Sequence, residues 1–509
     1  MTNTPPMLAR RLILAVVLAS SLLAGLAPTS SAAPLCVRVP TVDDHCEQWV
    51  ATYDHVPGHA RGGIDMPYDS QMSGDGSLVF VTGQSWHEED DAYDYATQAY
   101  EVATGAVRWS ARWASAEGGH DIPYDLALSP DGKTLFVHGS QHMNPVGEGA
   151  DYATVAYDAA TGELKWASGY DGAPDDTGYG VAVSPDGDYV YVTGKSGVNY
   201  ENVDYATVAY HADTGEMAWS SRWSLTPGEG EDIGIQVAAT DDAVFVAGAG
   251  GGKIMTLAYR TGDPDVDPAA GSLIWQSQPL NGYGYYIALS PDGRTVYTTG
   301  SAHVGISDIP LFPDWSFTTV AYDAATGARK WQGLWAAPQK GLDVPYGHAL
   351  SPDGSALYVA GISRGTMELD NEGTTVAFDT SNGSVRWVAK HSLPGSLFDF
   401  SLAPVVSPDG SRVYVAGSTA VAQGQFHSQT VTVAYDTTDG SQEWIARYPF
   451  DESSPLRMAG KYEHSIAMTP DGRHLVVAGG TAQSVDTTDP ANQDPSYNSM
   501  DYLLLSYET

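Results

Sequence analysis

A chain of 509 residues with 62 Asp and Glu against 24 Lys and Arg has a net charge of −38, a field that repels phosphate backbones and anionic lipid surfaces. That balance excludes nucleic acid as a partner. An apolar content of 42% is that of a chain able to bury a core, and no segment after the first 32 residues is long and apolar enough to span a bilayer.

The chain opens with Arg10 and Arg11, an apolar run from Leu12 to Leu26, and small residues ending Ser31-Ala32-Ala33. This order predicts a secretory signal peptide of bacterial type over residues 1–32, hence an extracellular product. A lipid anchor on Cys36 is the alternative, but Pro34 and Leu35 are not the small pair such processing needs. Residues 33–47 hold both cysteines, Cys36 and Cys46, a candidate disulfide in an oxidising compartment or else two free thiols.

From residue 48 onward the chain repeats itself. Trp49, Trp109, Trp166, Trp219, Trp275, Trp331, Trp387 and Trp444 recur about every 56 residues, a supersecondary period. Two copies read DYATVAYDAATGELKW from Asp151 and DYATVAYHADTGEMAW from Asp204. A second phrase, SPDG followed by an apolar strand and Gly, begins at Ser129, Ser184, Ser290, Ser351 and Ser407, with divergent copies at Ser73, Thr240 and Thr469.

Each repeat predicts four strands. The SPDG turn joins the first two, with Pro presetting φ and Gly accepting a left-handed conformation. The second strand, such as Leu135 to Val137, is apolar at consecutive positions and is buried on both faces. The third carries TVAY and ends at an Asp-x-x-Thr-Gly turn, and the Trp strand is the fourth. Short strands and large aromatic anchors at one period predict an all-β fold, an eight-bladed β-propeller of four-stranded antiparallel blades over residues 48–509. A linear β-solenoid is the alternative, with usually shorter repeats. Gln48 to Asp54 supplies a Trp strand without the other three, and His464 to Tyr507 supplies three without a Trp strand. The N-terminal strand is therefore expected to pair into the last blade and close the ring.

The phrase VAYDAATGELKW, with Thr-Gly and Trp ending each unit, resembles the tryptophan-docking repeat of the quinoprotein alcohol dehydrogenase-like propellers, the superfamily of pyrroloquinoline quinone binding. The SPDG-strand-Gly phrase is similar to YVTN-type surface propellers. The resemblance implies a propeller in which each Trp stacks on the neighbouring blade. Its catalytic members add a vicinal disulfide, a calcium held by Glu, Asn and Asp, and a catalytic Asp. This chain has no Cys-Cys pair and no Cys-x-x-Cys-His haem motif, which argues against pyrroloquinoline quinone as a cofactor.

Function is expected where long irregular loops join the second and third strands: 84–93, 140–150, 195–203, 301–317, 363–373, 418–429 and 480–500. Beside them, the entry to each innermost strand repeats a theme: Asp65 with Tyr68, Asp121 with Tyr124, Asp176 with Tyr179, Asp232, and Asp343 with Tyr346. Carried around a ring, these residues line a channel mouth, where carboxylates could hold a cation such as calcium through Asp121, Asp176 and Asp343, and phenols could stack a polyol. The structural alternative is that each Asp caps a turn and each Tyr packs between blades. His120, His348 and His464 near the mouth could act as bases, but no nucleophile pairs with them; His138 and His142 read as a strand and a loop residue without a shared role. No catalytic residue is assigned. The reading is a monomeric, non-catalytic binding protein for a protein or carbohydrate ligand, against a quinoprotein oxidoreductase or a calcium-dependent hydrolase or lyase.

Overall fold

A computed structural model describes residues 47–53, 65–87, 91–144, 149–199, 202–227, 230–306, 313–338, 341–364, 371–392, 396–422, 426–448, 465–482 and 500–509. The signal segment, Cys36, Cys46 and His464 lie outside the described residues. Among the described residues all regular structure is strand, and no helix is long and apolar enough to cross a membrane.

One repeat shows how the sequence makes its unit. His120–Leu128 pairs antiparallel with Thr134–Met143, that strand with Asp151–Asp158, and that one with Leu164–Tyr170. At the SPDG turn, Gly132 takes φ 72° and Ser129 Oγ donates to Asp131 at 2.7 Å, while Asp131 accepts from the Lys133 amide at 3.0 Å. At the other turn Asp158 accepts from the Ala160 and Thr161 amides at 3.1 and 3.0 Å, and Gly162 takes φ 73°. The same antiparallel order of four recurs over 66–113, 175–223, 230–276, 280–335, 344–391 and 396–448. A further sheet joins Ser465–Met468, His474–Ala482 and Met500–Glu508 to the N-terminal strand Glu47–Tyr53, whose Tyr53 pairs with Tyr502.

The stretches expected to be loops are largely hairpin ends. Tyr189–Asn199 pairs with Asn202–His211 out to Asn202, and Leu78–His87 pairs with Ala92–Glu101 out to Ala92. The backbone ladder continues through these ends, which mix buried polar side chains such as Ser85, Lys195 and Ser196 with buried Trp86, Tyr93 and Val203. His142, expected in a loop, lies with His138 on the strand Thr134–Met143, at a left-handed position with φ 60°.

The core lies between sheets. Phe80, Tyr95 and Trp109 of one sheet pack on Leu135, Val155 and Tyr157 of the next. Each repeat Trp reaches forward: Trp109 Nε1 donates to Ala159 O at 2.9 Å, Trp166 to Ala212 O at 3.0 Å and Trp275 to Ala324 O at 2.8 Å. The glycine of the next Thr-Gly turn lies flat on the indole, so a Cβ at Gly215 would come within 2.6 Å of Trp166. Trp49 docks the same way, donating to Val102 O at 2.7 Å beside Gly105. The C-terminal sheet packs on both neighbours in sequence, through Trp444 with Leu475 and Tyr507, and through Tyr502 and Leu504 with Val79 and Tyr100.

Candidate functional site

The aspartates that begin the innermost strands are buried, and Asp121, Asp176, Asp232 and Asp343 each close the loop entering their own strand. Asp121 accepts from the Ser115 amide at 2.6 Å, the Ser115 hydroxyl at 2.9 Å and the His142 amide at 3.0 Å. Asp176 accepts from the Gly172 and Ala173 amides at 2.5 and 2.9 Å, Asp232 from Leu225 at 2.8 Å, and Asp343 from Ala337 and Arg364 at 2.7 and 3.2 Å. Asp65 is also buried. Burial pushes the Asp232 and Asp343 carboxyls up to about 6 despite these amides. This arrangement supplies the turn-capping role. Asp121 and Asp343 do not join Asp176 in a three-ligand group; among the described residues that grouping is Asp151, Asp171 and Asp176.

The tyrosines of the theme meet one another. Tyr68 and Tyr124 have ring centroids 5.6 Å apart, and Tyr124 and Tyr179 5.5 Å, so three successive innermost strands present one partly exposed aromatic row. In another part of the molecule Tyr286 donates its hydroxyl to Tyr346 O at 2.6 Å, and Tyr346 lies 6.3 Å from Phe400.

Two residues missed by the sequence reading stand next to that row. Asp69 and Asp125, each following a theme Tyr, hydrogen-bond to each other, and Asp125 also accepts from the Leu126 and Val181 amides at 2.9 and 2.8 Å. Burial, with Asp125 adding its charge, drives the Asp69 carboxyl well above the usual range. Their spacing from Tyr68 and Tyr124 was visible, but nothing in one repeat tells that the two carboxyls meet across repeats.

The histidines are held in place. Burial lowers His348 to about 4 and His138 to about 3, with Nδ1 atoms 3.1 Å from Thr299 Oγ1 and 3.0 Å from Thr154 Oγ1. Burial also lowers His120, whose Nδ1 accepts from the Tyr93 amide at 3.2 Å. On the side of the long hairpins a groove of about 380 Å³ runs between Gly172–Pro174, the hairpin residues Gly197, Val198 and Asn202, and Arg222.

The chain matches the family described as outer membrane protein assembly factor BamB over residues 48–299 and 316–492. It belongs to that family, within the pyrroloquinoline quinone-like propeller superfamily. No curated protein sequence matches it. Among solved structures, a europium-containing methanol dehydrogenase is 13% identical, with 86% of this chain and 91% of that one covered at a TM-score of 0.51. Sqt1 from Chaetomium thermophilum is 12% identical over 89% and 97% of the two chains, at a TM-score of 0.50. BamB from Moraxella catarrhalis is 14% identical over 95% and 98%, at 0.42. At such identities the likeness is one of fold, and the fold is a β-propeller.

Proposed function

We propose that this chain is an exported, monomeric, eight-bladed propeller, closed through its N-terminal strand, that binds a protein partner on its hairpin-rich face without catalysis. Membership of an assembly-factor family over most of residues 48–492 carries this reading. Several features support it. The strand Glu47–Tyr53 completes a four-stranded sheet with the C-terminal strands, and its Trp docks on the first Thr-Gly turn, which favours a closed ring. The leader of residues 1–32 favours export. Asp121, Asp176, Asp232 and Asp343 are engaged in holding their own loops, and His120, His138 and His348 are tied to neighbouring amides or hydroxyls, which favours binding as the role of the exposed hairpins. The groove beside Val198, with Pro174 and Pro227 on its walls next to the ion pair of Arg222 and Asp204, offers an apolar and polar surface to a polypeptide.

Photo-crosslinking side chains placed in the full chain test this. Val198 and Val304 lie on the hairpin face, and Leu164 and Val385 follow the Thr161-Gly162 and Asn382-Gly383 turns at the other end; all four are exposed. Expressed in the producing organism, the first two positions should crosslink to one discrete protein and the last two should not. Equal labelling from both ends, or none from either, overturns the reading. Alcohol-dependent dye reduction after addition of pyrroloquinoline quinone and calcium would replace it with an oxidoreductase.

A further inference from the structure

In three sheets the third strand opens on a carboxylate neutralised from the fourth strand. Asp94 meets Arg112 at 2.7 Å, Asp204 meets Arg222 at 3.0 Å, and Glu372 meets Lys390 at 2.6 Å. The register is the same each time: the basic residue stands opposite the second residue after the acid, Arg112 opposite Ala96, Arg222 opposite Ala206 and Lys390 opposite Thr374. In the sheet between the first two of these, the acid is Asp151 and the residue opposite Ala153 is Gly169. The cation that those three sheets supply is missing there.

More negative charge gathers in its place. Asp171 follows two residues after Gly169, Asp176 begins the next innermost strand, and ligand oxygens of Asp151, Asp171 and Asp176 all lie within 4.8 Å of one another. Asp176 is fully buried; its Oδ2 takes the Gly172 and Ala173 amides and its Oδ1 makes no hydrogen bond, with the Ser196 hydroxyl beside the carboxyl and the Arg222 charge acting on it while Arg222 itself is paired with Asp204. A buried carboxylate oxygen left unsatisfied beside two other carboxylates is unfavourable unless a positive charge joins them. Burial and then the charges of Asp171 and Asp176 push Asp151 up to about 6.

We infer that Asp151, Asp171 and Asp176 form a site for a divalent cation of calcium type, which takes the place of the arginine found in the two adjacent sheets. Three carboxylates from two strands and an exposed loop suit calcium, which accepts six to eight oxygens in adaptable geometry at about 2.3–2.6 Å, better than magnesium, which demands a near-ideal octahedron. Asp151 is half-buried and Asp171 exposed, so water can complete the shell.

The test uses the full exported protein after chelation, with thermal unfolding and calorimetry during titration by calcium chloride or magnesium chloride. Calcium should bind at one site and raise the melting temperature progressively with concentration, by mass action on the folded state. Asp151→Asn with Asp171→Asn should abolish both effects. Gly169→Arg should abolish them while leaving the metal-free protein at least as stable as the parent, because it restores the internal cation. A Cβ at that position meets the Gln141 Nε2 at 2.7 Å, the movable end of a side chain, and the Tyr152 carbonyl oxygen at 3.3 Å, so the substitution needs Gln141 to swing aside and the backbone to give slightly. The inference is overturned if the parent shows no calcium effect, if magnesium acts equally at equal concentration, or if the double Asn variant keeps the parent's response. Should Gly169→Arg fail to fold, the double Asn variant alone decides.

Discussion

At the scale of single residues, the buried aspartates make stability depend on pH in a definite direction. Asp232 and Asp343 have carboxyls at about 6 in the folded protein, against about 4 in an unfolded chain. The folded state therefore binds more protons between those values, so the contribution is fully present below about pH 4 and is lost as pH rises through about 6. Each is worth on the order of 1–3 kcal/mol. Asp232→Asn with Asp343→Asn should flatten the decline in melting temperature between pH 4.5 and 7 relative to the parent; an unchanged slope would mean that other groups set it. The turn carboxylates Asp75 and Asp353, held low by Ser and amide donors, act the other way but are exposed and screened, and both are present in the parent and the variant. The cross-repeat chemistry was the part least legible in the sequence. Asp121 and Asp343 were conspicuous because they recur, but the amides that their carboxylates accept from could not be read from the repeat. The acid cluster depends on what does not recur, a glycine at 169 where Arg112 and Arg222 stand, and on carboxyls brought together from different repeats.

At the scale of one element, the Trp strand was the most legible feature, because its requirement is local and periodic. The indole needs a glycine to lie against and a carbonyl to donate to, and both come from the Thr-Gly turn of the next repeat, so the phrase carries both halves of the joint. Trp166 is 9% exposed, touches Phe136 and Tyr210 with ring centroids 5.7 and 6.4 Å away, and donates to Ala212 O. Trp166→Ala should cost about 3–5 kcal/mol in chemical denaturation, as a large aromatic lost from a packed core does. Gly215→Ala should also destabilise, since the new methyl meets the indole and the residue holds φ 74°. A cost below about 1 kcal/mol for the Trp variant would place the residue outside the core. The hairpin ends were misread because strand and loop differ there only in backbone pairing, which polar side chains do not announce.

At the scale of the whole molecule, the two ends of the chain depend on each other. Glu47–Tyr53 supplies the fourth strand of the C-terminal sheet, and Trp49 supplies that sheet's joint to the first one. Removing residues 33–54 should bare the strand Met500–Glu508 as an unpaired edge and lower the melting temperature by several degrees, with soluble aggregates on size-exclusion chromatography. A truncated chain that stays monomeric with an unchanged melting temperature would dissociate the N-terminal strand from stability. This dependence was legible because the sequence has a surplus strand at one end and a matching deficit at the other.

The forward reach of the repeat tryptophans has one more consequence. A joint that always runs from one unit to the following unit is polar, like a plug and socket, and the intact molecule satisfies the last plug with its own first socket. A molecule whose N-terminal strand has slipped free carries a bare socket beside the C-terminal strands and a loose plug in the strand Glu47–Tyr53. Two such molecules can each insert the strand into the other and form a closed exchanged pair, whereas a sequence of insertions that never returns to the first molecule grows as a linear polymer. Concentration during unfolding then decides between refolding and chain-to-chain linkage, and the joint made by the N-terminal strand sets where that choice is made.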